Sequence, residues 1–276
     1  LVVDHSVTID RRMLVGQVFA QIFTSCIRQF RLNELRILEQ SDNEALHQAR
    51  IALRRLRGAL TLFRPVIRQS TIRPWRDELR WLTGSLADAR DIDVFMERHD
   101  NLGRGDRRKL RSARRAAYQE ASATIDSARL RALLLDLVEW ISIGDWQKRE
   151  SKRPIEKFAA SRLDALWKDV RQDATTISGL DKGQLHRLRI RIKKLRYAVE
   201  FLQSLYGGKA RKFSAGLAEI QDCLGDIRDA AIARQLIDRL SLKTAVPPGS
   251  ADAGGERLAA VERQFKAIRK LSGFWS

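Results

Sequence analysis

The sequence predicts an all-α protein. Apolar residues recur every three or four positions along nearly the whole chain, which is the spacing of a helix face packed on a core. The strict alternation of apolar and polar residues that is typical of a half-buried strand is almost absent. The breaks between periodic segments are rich in Gly, Pro and polar residues, as in VPPGSADAGG at 246–255. We therefore expect helices joined by loops.

The same pattern predicts nine helices in order along the chain. Five are expected over 11–39, 42–64, 74–98, 106–124 and 127–142. Four more are expected over 155–176, 182–206, 210–240 and 256–272. The second and seventh helices have matching start signals, Ser41-x-x-Glu44 and Asp181-x-x-Gln184. In such a pair the first side chain caps the helix N-terminus, and the residue three positions later reaches back to it.

Charge is the most unusual property of the composition. The chain has 52 Lys and Arg against 34 Asp and Glu, a formal net charge of +18. An excess of this size destabilises the folded state through self-repulsion and favours polyanionic partners: nucleic acid, an anionic membrane or a phosphate polymer.

The remaining composition favours a cytoplasmic location. Cys26 and Cys223 lie far apart within apolar helical patterns, so we expect reduced core residues in a reducing compartment. No apolar run approaches the ~20 residues of a transmembrane helix. The first residues lack the basic and apolar regions of a signal peptide.

A basic segment occurs twice in the chain, as HQARIALRRLR at 47–57 and HRLRIRIKKLR at 186–196. At one offset of 139, His47, Arg50, Arg54, Arg55 and Arg57 recur as His186, Arg189, Lys193, Lys194 and Arg196. At an offset of 140, Arg28 and Arg31 correspond to Lys168 and Arg171. At an offset of 138, LADARD at 86–91 corresponds to LGDIRD at 224–229. Such drift is typical of a duplicated helical unit, so we predict two similar bundles, over 1–150 and 151–276.

The first basic segment separates its charge from its apolar residues on a helical wheel. His47, Arg50, Arg54 and Arg57 fall within an arc of about 80°, and the apolar residues occupy a separate arc of about 120°. No acidic residue lies between His47 and Arg64, or between His186 and Glu200, so a solvated face of mixed charge is a weak explanation. Like charges at this spacing destabilise a helix, whereas a phosphate-rich anion would form charge-assisted hydrogen bonds with them. Pseudo-symmetric packing would bring the two ridges together as one positive channel.

Three further features, the Asp-x-Arg-Asp motifs, the segment histidines and a third basic run, have structural as well as functional explanations. Arg90 and Arg228, from the two Asp-x-Arg-Asp motifs, are candidates for the basic surface, and an ion pair between helices explains them equally well. A single helical histidine is usually structural, but repetition at the head of both segments favours phosphate contact or orientation of the ridge. The basic run RGDRRKLRSARR at 104–115 has no equally clean repeat and is treated as an extension of the surface.

The paired basic segments, each followed by an L-x-D-x-R-D helix, resemble the conserved histidine α-helical domain (CHAD domain) over essentially the whole chain. The resemblance implies two four-helix bundles related by pseudo-twofold symmetry around a basic central cavity. It also implies binding of inorganic polyphosphate without hydrolysis or cofactor, and association with polyphosphate granules. Transferred to this sequence, the cavity residues are the five repeated basic residues of each segment, with Arg28, Arg31, Lys168 and Arg171 as additions from the preceding helices.

Two other functions are compatible with parts of the sequence. His99-Asp100 is a pair found in all-helical metal-dependent phosphohydrolases, but that chemistry needs further ligands converging on a metal, and the pair does not repeat. The charge also suits a nucleic-acid binder, although the charged arcs contain no aromatic residue to stack on bases. We expect non-specific nucleic-acid binding at low salt at most, no membrane binding, and no metal site or catalytic residue.

Overall fold

The computed structural model describes residues 7–67, 69–99, 101–144, 146, 149–174, 177–244 and 254–275. Within these residues the chain forms ten α-helices, and an isolated bridge between Leu14 and Pro154 is the only β-type pairing. The all-α prediction is therefore confirmed. The helices are α1 (Val15–Gln40), α2 (Asn43–Leu62), α3 (Gln69–Ser85), α4 (Ala87–Arg98), α5 (Arg104–Ile125), α6 (Ala128–Ile143), α7 (Ile155–Asp173), α8 (Lys182–Tyr206), α9 (Gly208–Leu240) and α10 (Gly254–Leu271).

One predicted helix, 74–98, is two helices in the structure. α3 ends at Ser85 and α4 begins at Ala87, because Leu86 between them leaves the helical backbone with φ −95° and ψ 4°. The apolar stripe continues across this break, since Leu82, Leu86 and Ala89 are all fully buried. Gly84 and Ser85 lie directly before the break, but the apolar stripe runs through it, so periodicity alone predicted one continuous helix.

The two start signals have different outcomes. At α8 the prediction is confirmed: Asp181 Oδ1 accepts from the Gln184 backbone N–H at 2.8 Å, and Gln184 Oε1 accepts from the Asp181 N–H at 2.7 Å. At α2 the predicted Ser41 cap is wrong, because Asp42 is the capping residue and Ser41 has a left-handed φ of 48°. The Asp42 carboxylate accepts from the backbone N–H groups of Glu44 and Ala45, which satisfies donors that the first helical turn leaves unpaired.

The chain divides into two compact units. The first contains residues 19–148 and 232–247, and the second contains residues 6–18, 149–231 and 248–276. The main division in the chain thus falls between residues 148 and 149. Helices α1 and α9 each contribute residues to both units.

Each unit has its own aromatic cluster in the core. In the first unit the Phe19 ring lies 5.1 Å from Phe63 and 4.9 Å from Trp146, and the Trp146 indole N–H donates to the Trp140 carbonyl. In the second unit the Trp167 ring lies 5.4 Å from Phe213. These large buried rings contribute much of the apolar area that stabilises a helical core.

None of the described helices is long and apolar enough to cross a membrane. Cys26 and Cys223 form no disulfide. Cys26 is buried in the core, as predicted, whereas Cys223 is half-buried rather than a core residue.

Candidate functional site

The α2 ridge consists of His47, Arg50, Arg54 and Arg57, all half-buried. The opposite side of the helix is fully buried, with Leu53 at 0% exposure. The wheel prediction for α2 is therefore confirmed: the apolar arc enters the core and the cations remain on the accessible side. Over the seven steps from Arg50 to Arg57 the helix rises by about 10 Å.

The two central arginines of the α2 ridge have different environments. Arg50 Nη1 donates to the Thr83 carbonyl at 3.0 Å, in the last turn of α3, where a cation interacts favourably with the helix dipole. Arg54 makes no hydrogen bond or ion pair with any described residue, and its Nε is buried without a partner. A partly buried cation without an acceptor is unfavourable. Arg54 is therefore the ridge member whose environment most favours an added anion.

The surroundings of His47, at the start of the α2 ridge, favour the neutral imidazole. Burial lowers the pKa of the imidazole, the nearby charges of Arg90 and Arg54 lower it further, and Glu44 and Glu97 oppose them. Arg90 is itself paired within its own helix, with Nη1 3.1 Å from Glu97 Oε1. A neutral imidazole can donate one hydrogen bond to an anion. Protonation in the presence of an anion would add a further charge.

The C-terminal end of the α2 ridge gains cations that the sequence did not assign to it. Burial lowers the pKa of Arg57, and the charges of Arg80 and Arg76 on α3 lower it further. Arg80 is ion-paired to Asp77 at 2.6 Å, whereas the Arg57 side chain makes no hydrogen bond or ion pair within the described residues. Arg73, Arg76 and Arg80 form a basic stripe at helical spacing in the sequence, which is the signal that would have predicted this extension.

Arg55 differs from the rest of its segment. Its exposure is 8%, and it lies on the buried side of α2 rather than on the ridge. Its position on the helical wheel, about 80° from His47, is outside the arc of the other four cations.

The α8 ridge consists of His186, Arg189, Lys193 and Arg196. His186 is exposed, as is the neighbouring Lys194. Arg196 Nε donates to Gln221 Oε1 at 3.1 Å, and its Nη1 is ion-paired to Glu200. Arg189 and Lys193 are half-buried and each takes part in polar or ionic interactions. The α8 ridge is thus more exposed at its start and more neutralised at its end than the α2 ridge.

The predicted additions from the preceding helices lie in different surroundings. On α1, Arg28 is exposed without a partner among the described residues, and Arg31 is ion-paired at 2.5 Å to the buried Glu34. Burial raises the pKa of Glu34 to about 7 although Arg31 opposes the shift. On α7, Lys168 and Arg171 are exposed.

Lys168 and Arg171 line a cavity of about 480 Å³ with Arg269 of α10, and no residue of the α8 ridge is among its lining residues. α8 contacts α7 through Arg191, whose Nε lies 3.0 Å from Asp173 Oδ2. On the α8 wheel Arg191 is roughly opposite the ridge. The Arg228 side chain lies outside the described residues; the α9 backbone is helical there.

The chain is similar to known proteins in both sequence and fold. The family model of the CHAD domain matches residues 21–238. The crystal structure of the CHAD domain from the plant Ricinus communis is similar, with a TM-score of 0.77 and 25% identity, over 98% of this chain and 91% of that chain. PptA from Streptomyces chartreusis shares the fold, with a TM-score of 0.62 and 20% identity, over 94% of this chain and 97% of that chain. No curated protein matches significantly. Because the family model covers most of the chain, from α1 to α9, the protein belongs to the CHAD domain family.

Proposed function

We propose that the protein binds inorganic polyphosphate, without hydrolysing it, through the cations of the α2 and α8 ridges. The observation that carries the proposal is the unpaired state of Arg54 and Arg57, two half-buried arginines with no acceptor among the described residues. A linear polymer of phosphates supplies acceptor oxygens at every unit, so it can follow a row of cations along a helix. Guanidinium groups bind such oxygens by paired, charge-assisted hydrogen bonds.

The ridges suit polyphosphate better than nucleic acid. Single-stranded nucleic acids bind strongly where aromatic side chains stack on their bases beside the cations. The aromatic residue next to the α8 ridge, Tyr197, has an exposure of 4% and lies in the core. Phosphate contacts alone would give weak, salt-sensitive and sequence-independent binding to nucleic acid.

The proposal of binding without hydrolysis is supported by the chemistry of the ridges, because a row of cations repels a catalytic metal ion. The alternative metal-dependent site used His99-Asp100. His99 stacks on Phe95 at 3.9 Å, with its Nδ1 2.7 Å from the Phe95 carbonyl, and Asp100 lies outside the described residues. In the described part of the chain, no three His, Cys, Asp or Glu side chains are grouped as metal ligands.

Two finer parts of the proposal come from the sequence and stay predictions: that both ridges line one channel, and that the protein associates with polyphosphate granules. Joint action of the ridges is testable by separate substitution of each ridge.

The proposal is tested by competition between polyphosphate and RNA for the purified chain at physiological salt. We expect labelled long-chain polyphosphate to bind and excess RNA to displace it only weakly. After incubation with Mg²⁺ or Mn²⁺, the polymer length on a gel should be unchanged. Efficient displacement by RNA would favour a nucleic-acid binder, and release of orthophosphate would favour an enzyme.

A further inference from the structure

The first unit contains a basic cavity of about 570 Å³ where the end of α1 meets α5. It is distinct from the cavity that Lys168 and Arg171 line. This volume is within the range of about 300–1,000 Å³ that small-molecule sites occupy. The lining residues are Leu38, Ser41, Arg111, Arg114, Arg115, Tyr118, Gln119 and Ser122. No residue of the α2 ridge lines it, so it is a separate cavity. It includes the C-terminal part of the basic run 104–115.

One of its arginines, Arg114, is fixed by the surrounding fold. Its Nε donates to Asp93 Oδ1 at 2.7 Å, its Nη2 donates to the Ser41 carbonyl at 3.1 Å, and its guanidinium lies 4.3 Å above the Tyr118 ring. Asp93 has an exposure of 4%, and its other oxygen accepts from the Tyr118 hydroxyl at 2.6 Å. Both Asp93 oxygens are therefore engaged inside the wall of the cavity.

The other two arginines have no such partner. Arg111 and Arg115 are exposed and make no hydrogen bond or ion pair with any described residue. They are four positions apart on α5, so both side chains project from the same face of the helix. The acid beside the cavity, Asp93, is already bound by Arg114 and Tyr118. The cavity thus presents two unneutralised guanidinium groups, which are well suited to two phosphate groups.

The remaining lining residues are suited to an organic group. Leu38 contributes apolar surface and has an exposure of 37%. Tyr118 has an exposure of 2%, and the Arg114 guanidinium stacked over its ring contributes a planar wall. Ser41, Gln119 and Ser122 supply neutral hydrogen-bonding groups. An ionised inorganic phosphate chain has no apolar surface to place against Leu38 and no hydrogen-bond donor for the amide oxygen of Gln119. An organic phosphate with a planar, polar-edged group has both.

We propose that this cavity binds a small organic diphosphate of the nucleoside diphosphate class. Arg111 and Arg115 bind the phosphate groups, and Leu38 and the Arg114 guanidinium that covers Tyr118 contact the organic group. The inference is independent of polyphosphate binding by the ridges, because it uses different residues.

The test is a fluorescence titration of the full chain with N-methylanthraniloyl-ADP at physiological salt. The cavity variant is Arg111→Ala/Arg115→Ala, and the matched control is Arg104→Ala/Arg108→Ala. The two control residues are also exposed, lie four positions apart on α5 and do not line the cavity. Their substitution removes the same charge as the cavity variant. We expect saturable one-to-one binding that the cavity variant weakens at least about tenfold and the control changes by less than about twofold. Thermal unfolding of both variants verifies that they remain folded.

Three results would overturn the inference. The first is absence of saturable binding, or equal weakening by the control, which would mean that charge alone attracts the nucleotide. The second is equal displacement by pyrophosphate and by ADP, which would mean that the organic group is not recognised. The third is loss of nucleotide binding in Arg54→Glu, which would place the nucleotide on the α2 ridge. Retained nucleotide binding in Arg54→Glu supports the separate cavity whether or not the protein binds polyphosphate.

Discussion

The α2 and α8 ridges repeat the same residue types at the same spacing, but their neighbours differ. On α2, Arg54 and Arg57 are half-buried, and neither side chain has an acceptor among the described residues. On α8, the corresponding Lys193 takes part in polar or ionic interactions, and Arg196 is held by Gln221 and Glu200. The α2 ridge therefore retains unneutralised charge, whereas the α8 ridge is partly neutralised by its own unit. A sequence repeat conserves the cations but not the electrostatic environment around them.

The helices that follow the ridges differ as well. LADARD lies where α3 ends and α4 begins, and Arg90 pairs with Glu97 of α4 next to His47. LGDIRD lies inside α9, which is one helix from Gly208 to Leu240. The break at Leu86 thus gives the first unit a short helix whose charges act on the start of the α2 ridge.

The largest expected effect separates the two ridges directly. We expect Arg50→Ala/Arg54→Ala to weaken polyphosphate binding about a hundredfold, since two charge-assisted contacts are lost at about 1.5 kcal/mol or more each. We expect Arg189→Ala/Lys193→Ala to weaken it about tenfold, because the α8 ridge is more exposed at its start and Glu200 partly neutralises its end. Fluorescence anisotropy with labelled polymer measures both affinities.

Lys266→Ala/Lys270→Ala, at two exposed positions of α10 outside both ridges, is the charge-matched control for both pairs. An α8 pair that costs as much as the α2 pair would show that the difference in surroundings has no effect on binding. If one pair matters and the other does not, the ridges do not act jointly.

A smaller effect concerns stability. The pKa of Glu34 is raised to about 7 by burial, so the folded state holds a proton that the unfolded state loses near pH 4.5. Stability from this group is fully present below pH 4.5 and is lost as pH rises to about 7. We expect Glu34→Gln to raise the melting temperature by a few degrees at pH 8. This corresponds to a gain of about 1–2 kcal/mol in the free energy of unfolding, after the loss of the ion pair with Arg31 is subtracted. At pH 5 the increase should be much smaller.

The corresponding position of the second unit is Ala174, which has no charge to bury. The destabilisation therefore belongs to the first unit. Thermal unfolding of the variant and the unmodified protein at both pH values measures it. An equal change at pH 5 and pH 8 would show that ionisation of Glu34 is not its source.

The smallest effect concerns His47. Bound phosphate opposes the Arg90 and Arg54 charges that lower the pKa of its imidazole, so binding should raise that pKa and be accompanied by proton uptake. Lowering the pH from about 7.5 to about 5.5 should therefore increase the affinity for polyphosphate more in the unmodified protein than in His47→Gln. The expected difference is roughly threefold to fivefold, or about 1 kcal/mol. Comparing the variant with the unmodified protein cancels titration of the polymer itself. Identical pH profiles would show that His47 does not contact the anion.

Periodicity predicted what depends on the local chain. It placed Leu53 of α2 in the core, and the Asp181-x-x-Gln184 spacing predicted the α8 capping box, because both features need only neighbours within a few residues. Periodicity failed at Leu86, where the chain bends although the apolar stripe continues.

The surroundings of the ridges depend on contacts between helices, which one segment does not specify. The proximity of Arg76 and Arg80 to Arg57 arises from the packing of α3 on α2, and Asp93 binds Arg114 from a different helix. The resemblance to the CHAD domain was confirmed because it depended on a spacing repeated over the whole chain.

The most direct test of the account is the melting temperature of the unmodified protein and of Arg54→Glu, each with and without long-chain polyphosphate. If the α2 ridge serves a polyanion, its charge opposes folding, and Arg54→Glu should keep or raise the melting temperature of the free protein. Polyphosphate should raise the melting temperature of the unmodified protein and leave that of the variant unchanged. A clearly lower melting temperature for free Arg54→Glu, with no shift by polyphosphate in the unmodified protein, would mean that these cations stabilise the fold and bind no polymer.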